Sequence, residues 1–157
     1  MIGISFTQTG MDEVVAHISR VEVFLRDPIT ECKAELTQWF RDVEARAFTS
    51  QGATTTRQWR ELEPRYRQWK KRRFPGRTIL ERTGRLRASL QVQTSDSIVE
   101  STPRRLVLGT SVEYARFHQS PGQRPFIAIT NRDAAAAAVI VRRKLAGALG
   151  QQVGVAA

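Results

Sequence analysis

Hydrophobic residues near the start of the chain recur every three or four positions, which is the period of an amphipathic helix. This apolar stripe consists of Val14, Ile18, Val21 and Leu25. Thr9, three residues before Asp12, is a typical helix-start signal. The pattern therefore predicts a first helix that begins near Thr9 and buries the stripe.

Asp27-Pro28 ends this helix and starts a second one, because Asp caps helices and Pro suits the first helical position. The second helix extends to about residue 48. Its apolar face is formed by Ile29, Cys32, Leu36, Phe40, Val43 and Ala47. On that face Cys32 is interpreted as a small core residue, not a reactive thiol. The two helices predict an N-terminal helical hairpin.

Alternating apolar and polar residues, which are typical of strands, occur at residues 2–6 and again in the second half of the chain. The predicted later strands cover residues 91–94, 97–100, 104–110 and 125–130. Thr102-Pro103 supplies a turn between two of them. These patterns predict a small antiparallel sheet of about four strands.

Three further helical segments are predicted around these strands. Thr83-Gly84 opens a short helix with Leu86 and Leu90 on one side, and residues 112–119 are expected to form one or two helical turns. Asn131 is expected to cap a final helix over residues 132–149. Its predicted anchors are Val139, Leu145 and Leu149. We expect this C-terminal helix to cover the sheet.

The elements together predict an α+β fold in a single domain, residues 1–157, a length that suits one domain. Residues 49–57 are polar and contain no core-forming side chain, so we expect a flexible loop there. Residues 150–157 have little to hold them and are expected to fray.

The basic residues are distributed unevenly along the chain, and this bears on its partners. The chain has 25 Lys+Arg and 15 Asp+Glu, a formal net charge of +10. Residues 57–87 contain twelve of the basic residues and three of the acidic ones. Trp59, Tyr66 and Trp69 lie among them, with a helix expected to start near Pro64. Such a segment either binds polyanions or has aromatics that face a core while its arginines are solvated, and the second interpretation is favoured.

Residues that would support catalysis are scarce. The chain has one cysteine and two histidines, His17 and His118, and no His/Cys/Asp/Glu cluster has metal-ligand spacing. A phosphate-binding glycine-rich loop and a Gly-x-Ser-x-Gly motif are also missing. We therefore expect a non-enzyme without cofactor or metal. No signal peptide and no membrane span are predicted, and the single cysteine fits a reducing cytosol.

Five segments occur in an order that resembles a known family. They are Trp59-Arg60-Glu61-Leu62, the stretch 79–90 (ILERTGRLRASL), Val107-Leu108-Gly109-Thr110, Tyr114-Ala115-Arg116-Phe117-His118-Gln119, and Arg124-Pro125-Phe126. The series is similar to the phage virion morphogenesis, or tail-completion, family of Mu-like and P-two-like phages. The resemblance covers about residues 55 to 145. Ser120-Pro121-Gly122 departs from the family's usual pattern.

This resemblance implies a structural virion protein of the head–tail junction, without a catalytic site. Members act as a homo-oligomeric ring that docks between the portal or adaptor on the head side and the tail-tube or tail-terminator proteins. The implied location is the neck or tail end of the virion, with the host cytoplasm as the place of assembly.

We expect ring contacts to involve loop 49–57 and the basic segment. The predicted interface residues are Trp59, Arg65, Arg67, Lys70, Lys71, Arg72, Arg73, Arg85, Arg87, His118, Gln119 and Arg124. Their charge meets either an acidic partner ring or DNA that crosses the junction. The protein partner is favoured, because a channel for moving DNA should not hold phosphates tightly. The alternative function is a basic nucleic-acid-binding module, whose binding would weaken steeply with salt.

Overall fold

The computed structural model describes residues 8–55, 57–120 and 124–150. These residues form six helices and one two-stranded antiparallel sheet, so the fold is α+β as predicted. The elements are α1 (Gln8–Arg26), α2 (Pro28–Thr49), α3 (Pro64–Arg73), α4 (Arg85–Gln91), β1 (Ser97–Thr102), β2 (Arg105–Thr110), α5 (Ala115–Gln119) and α6 (Asn131–Ala148). The strand predicted at residues 2–6 and the tail at 151–157 lie outside the described residues.

The predicted helical hairpin is confirmed, and α2 is its central member. Asp27 caps α2 as expected: its Oδ1 accepts from the Thr30 amide at 3.0 Å, and Pro28 is the first helical residue. Four residues of the predicted apolar face are buried, among them Cys32. Helices α1, α4 and α6 and both strands pack against α2, so this helix connects the parts of the fold.

Two residues of the apolar stripe predicted for α1 are exposed, and Val21 is only half-buried. Ile18 is 60% exposed and Leu25 is 62% exposed, whereas Phe24, on another side of the helix, is buried. Phe24 is the larger side chain, and it determines which face of α1 packs against α2 and α6. Ile18 and Leu25 are therefore uncovered by the described part of the chain.

The sheet has two strands, not the predicted four. β1 and β2 form a hairpin that pairs Ser97 with Thr110 and Thr102 with Arg105, and this hairpin packs on α2 and α4. The predicted strand at 91–94 does not form, because α4 continues to Gln91 and the Val92 amide donates to the carbonyl of Ala88.

Residues 125–130 also form no strand, because a side chain takes the place of a neighbouring strand. The Gln119 carboxamide oxygen accepts from the amides of Phe126 and Ile127, both at 3.1 Å. Its nitrogen donates to the carbonyl of Ile127 at 2.7 Å. The amides of Phe126 and Ile127 and the carbonyl of Ile127 are thereby hydrogen-bonded without a neighbouring strand.

Helix α6 starts one residue earlier than predicted and packs elsewhere. Thr130, not Asn131, is the N-cap, in a reciprocal capping box with Asp133. The helix packs on α2 and α1, while the β-hairpin is covered by α2 and α4. The prediction that the C-terminal helix covers the sheet is therefore wrong. Of the predicted anchors, Val139 and Leu149 are exposed and Leu145 is half-buried.

The main core forms around two buried aromatic side chains from either side of loop 49–57. Phe48 and Trp59 meet edge to face, with ring centroids 5.2 Å apart, and Phe126 packs beside Phe48. The Trp59 indole donates to the Pro125 carbonyl at 2.8 Å. Loop 49–57 is closed by backbone bonds from the Gly52 amide to Ala47 and from the Trp59 amide to Gln51. Its flexibility stays a prediction.

Candidate interaction surface

Helix α3 is the most strongly charged element of the fold. Six of its ten residues are basic and none is acidic. It starts where predicted: Pro64 is the first helical residue, and the Glu63 carboxylate accepts from the amides of Arg65 and Tyr66. Four basic residues in the last turn, 70–73, lie where the helix dipole favours positive charge. This end of α3 therefore concentrates positive potential.

The aromatic residues of the basic segment do not all face the core, which corrects the favoured interpretation. Trp59 is buried, 3% exposed, but it precedes α3. Tyr66 and Trp69 lie on α3, stack with centroids 5.4 Å apart, and are 40% and 46% exposed. An exposed aromatic pair among cations is a surface suited to contacts with a partner.

Lys70 lies on the inner side of α3 and is buried, unlike the basic residues around it. Its ammonium group donates to the carbonyl of Thr78. Burial lowers the pKa of Lys70, while nearby Glu81 partly opposes this effect. Lys70 thus anchors the segment 78–81 against α3.

Glu81 fixes the same segment from the other side. Its carboxylate accepts from the Thr78 hydroxyl at 2.6 Å and from the Arg87 guanidinium at 2.6 Å. Burial alone would raise the pKa of Glu81, but the hydrogen bonds from Thr78 and Arg87 outweigh it and lower the pKa. One buried carboxylate therefore ties the turn at Thr78 to helix α4.

The turn held by Lys70 and Glu81 carries a strained residue. Leu80 has a φ of +62°, a left-handed conformation that costs a bulky side chain of order 1–3 kcal/mol. Next to it opens a cavity of about 680 Å³. The cavity is lined by Leu62, Glu63, Tyr66, Lys70, Ile79, Leu80, Arg82, Thr83, Arg85, Tyr114, His118 and Arg124. It combines an apolar floor with a basic rim.

His118 and Arg124 are among the predicted interface residues that line this cavity, whereas Gln119 is not. The Arg124 guanidinium donates to the carbonyls of Arg60 and Glu61 at 2.6 and 2.9 Å. His118 is half-buried beside Tyr114, and burial, together with the charge of Arg124, lowers the pKa of His118. The imidazole is therefore neutral at neutral pH. Gln119 is used for the contacts to Phe126 and Ile127 described above.

The structure divides the other nine predicted interface residues into three groups. Trp59 and Lys70 are buried inside the protomer, so they are not surface contacts. Arg85 pairs with Asp96 at 2.6 Å, Arg87 with Glu81, and Arg67 with Glu61 at 3.1 Å. Exposed basic residues that form no salt bridge with the described part of the chain are Arg65, Lys71, Arg72 and Arg73.

The roles of Glu81 and Leu80 were not predicted from the sequence. The sequence did contain a signal for Glu81. Residues 57–87 have three acidic residues among twelve basic ones, and an acidic side chain in such a segment is a candidate for a salt bridge within the chain. The positive φ of Leu80 has no counterpart in the sequence, because glycine or asparagine would be expected there.

We expect Glu81→Gln to lower the free energy of unfolding by about 2 kcal/mol, because it leaves Arg87 without its carboxylate in a buried site. The matched control is Glu61→Gln, which breaks the exposed pair with Arg67 and should cost less than about 1 kcal/mol. Urea unfolding followed by circular dichroism measures both. Equal losses would contradict the role given to Glu81.

In the ranges 8–55, 57–120 and 124–150, no three His, Cys, Asp or Glu residues come together in a way that could hold a metal ion. Among the helices that the structure describes, none has the length and hydropathy required to cross a lipid bilayer.

Fold and surface together define a small α+β protein with a basic, partly aromatic exposed surface on α3. The chain belongs to the phage virion morphogenesis family, whose model matches residues 9–153. The match includes the N-terminal helical hairpin as well as the ordered segments of the second half. Comparison with curated proteins and with solved structures finds no match.

Proposed function

We propose that this protein is a structural component of the phage head–tail junction that acts by ring assembly and docking between the head connector and the tail. Membership of the phage virion morphogenesis family is the observation that carries the proposal, because it gives the chain an assembly role in the virion. The docking surface on α3 and the cavity beside it supply a physical means of attachment. Other proteins of the virion, on the head side and on the tail side, are the partners that this role requires.

We assign the basic face of α3 to an acidic protein partner. Its exposed cations, Arg65, Lys71, Arg72 and Arg73, lie next to the exposed Tyr66–Trp69 pair. Aromatic and arginine side chains are those enriched at protein interfaces, and opposite charge accelerates encounter. The mode of action is binding without catalysis, and it uses no cofactor.

Deletion of the gene from a phage or prophage tests the proposal. We expect electron micrographs to show filled heads beside separate or abnormally long tails. Complementation by the native protein should restore infectious particles, while the Lys71→Glu/Arg72→Glu/Arg73→Glu variant should not. Arg104→Glu/Arg105→Glu, on the β-hairpin, is the control for charge change alone. Normal infectious particles from the deletion would overturn the structural role.

A nucleic-acid-binding module is the second candidate, and the stacked, exposed aromatic pair on a basic helix favours it. Salt separates the two functions. Binding of fluorescent single-stranded DNA that falls roughly tenfold or more between 50 and 200 mM salt would support phosphate contacts. Absence of DNA binding at 50 mM salt would argue against this second function and support an acidic protein as the partner of α3.

A further inference from the structure

Helix α1 presents an apolar face that no other residue described by the structure covers. Val15, Ile18 and Leu25 are exposed, and the spacing of three, four and three places Glu22 among them on the same side, where its carboxylate also pairs with Arg26 at 2.6 Å. Exposed apolar stripes of this kind mark sites of protein contact. Because α1 packs on α2 and α6 through its other side, the described part of the chain leaves this face open.

The charge of the chain is divided between two regions of opposite sign. Residues 8–48, which contain α1 and α2, have eight acidic and five basic residues. Residues 57–87 have three acidic and twelve basic residues. Two copies of the same chain can therefore attract each other if the first region of one meets the second region of the other.

The basic region also contains a cavity that can accept apolar side chains. The cavity beside α3 measures about 680 Å³ and has Leu62, Ile79 and Leu80 among its lining residues. Arg82 lies at its rim and is exposed. The cavity is formed by α3, α5 and the segment 78–85, which are elements other than those around α1, so both surfaces are available in one copy.

We propose that the α1 face of one copy docks onto the basic apolar cavity of the next copy, with Ile18 and Leu25 toward the cavity and Glu22 toward Arg82. The proposal rests on the ring assembly proposed above and adds its contact. Such a contact joins two different surfaces, so in a pair one copy keeps a free cavity and the other keeps a free α1 face. Contacts of this heterologous type propagate and close into a ring when the rotation between copies allows it.

Cross-linking in assembled particles tests the contact. Cells infected by a phage lacking the gene receive two differently tagged variants, Ile18→Cys and Tyr66→Cys, and purified particles are treated with a short bis-maleimide. The native Cys32 is buried and is the only cysteine in the chain. We expect dimers that contain one copy of each variant. The double variant Ile18→Cys/Tyr66→Cys should give a ladder of higher multimers.

Val139→Cys is the matched control, because Val139 is exposed on α6 and outside both surfaces. Paired with Tyr66→Cys, it should give no dimer. Dimers of Ile18→Cys with itself would overturn the proposal, as would its cross-linking to a different virion protein or to DNA. Particles that contain the reactive double variant but give no ladder would do the same. Absence of the protein from particles would instead contradict the proposed function.

A charge exchange gives an independent measurement. We expect Glu22→Arg to reduce complementation of the deletion phage by about tenfold or more, since it places like charges together. Arg82→Glu in the same chain should recover most of that loss. Failure of the double variant to recover, with both variants folded by circular dichroism, would contradict the contact between Glu22 and Arg82.

Discussion

Replacing Gly52 with alanine is expected to destabilise the protein by about 3 kcal/mol or more, one of the largest single effects in the chain. A Cβ on Gly52 would lie 2.5 Å from the Trp59 ring atom Cδ1 and 2.9 Å from the carbonyl oxygen of Arg57. Trp59 cannot move aside without losing its hydrogen bond to Pro125 and its contact with Phe48. The φ of +86° at Gly52 adds conformational strain.

Gly76→Ala is the matched control for this prediction. Gly76 has a similar φ of +75°, but a Cβ there meets nothing within 4 Å. Its substitution should therefore cost only the strain of the left-handed conformation, about 1–2 kcal/mol. Urea unfolding of both variants, followed by tryptophan fluorescence, gives the difference. Equal losses would show that the packing of Gly52 against Trp59 contributes nothing.

Glu44 is expected to make stability depend on pH, and Glu44→Met should remove this dependence. Glu44 lies on α2, is 0% exposed, and both carboxylate oxygens lack a hydrogen-bond partner among the described residues. Burial, reinforced by the charge of Asp133, raises the pKa of Glu44 to about 8. The folded protein therefore keeps a proton that the unfolded chain releases above the ordinary value of 4.5.

The sign of the effect follows from this difference in bound protons. The contribution of Glu44 to stability is largest below pH 4.5 and falls as the pH rises toward the folded pKa of about 8. Between pH 5.5 and 7.5, the free energy of unfolding of the native protein should fall relative to Glu44→Met by about 1.4 kcal/mol per pH unit. Taking the difference between the two proteins cancels the contribution of His118, whose lowered pKa acts in the opposite direction.

Equilibrium unfolding at several pH values measures this slope. Glu44→Met should also be the more stable protein at pH 7.5, because an unpartnered buried carboxyl is replaced by an apolar side chain of similar length. Glu100→Gln, an exposed residue on β1, is the control and should leave the slope unchanged. A difference that stays constant with pH would mean that Glu44 has an ordinary pKa.

The sequence was sufficient for elements that depend on local patterns. The α2 cap at Asp27, the helix start at Pro64 and the hairpin around Thr102-Pro103 all depend on neighbouring residues. The two strands that do not form are replaced by hydrogen bonds that the residue pattern does not reveal. At 91–94 helix α4 continues to Gln91, and at 125–130 the Gln119 side chain bonds the amides of Phe126 and Ile127.

The orientation of helix faces was the other limit. Periodicity placed an apolar stripe on α1 correctly, but it could not show that Phe24 packs inward and leaves Ile18 exposed. The same applies to the predicted surface residues. Lys70 has the same local sequence environment as Lys71, yet it is buried because it faces the carbonyl of Thr78. Which residues are exposed for contact depends on how whole helices and strands pack, and local sequence does not show this.

The hydrogen bond between Trp59 and Pro125 has a consequence for synthesis on the ribosome. It joins positions 66 residues apart, and Phe126 completes the same core. At ordinary translation rates the nascent chain exposes Phe48 and Trp59 for roughly 3–13 s before Phe126 is made. During this interval the N-terminal half exposes apolar surface of the general kind that chaperones bind, and the core closes only after Phe126 has been synthesised.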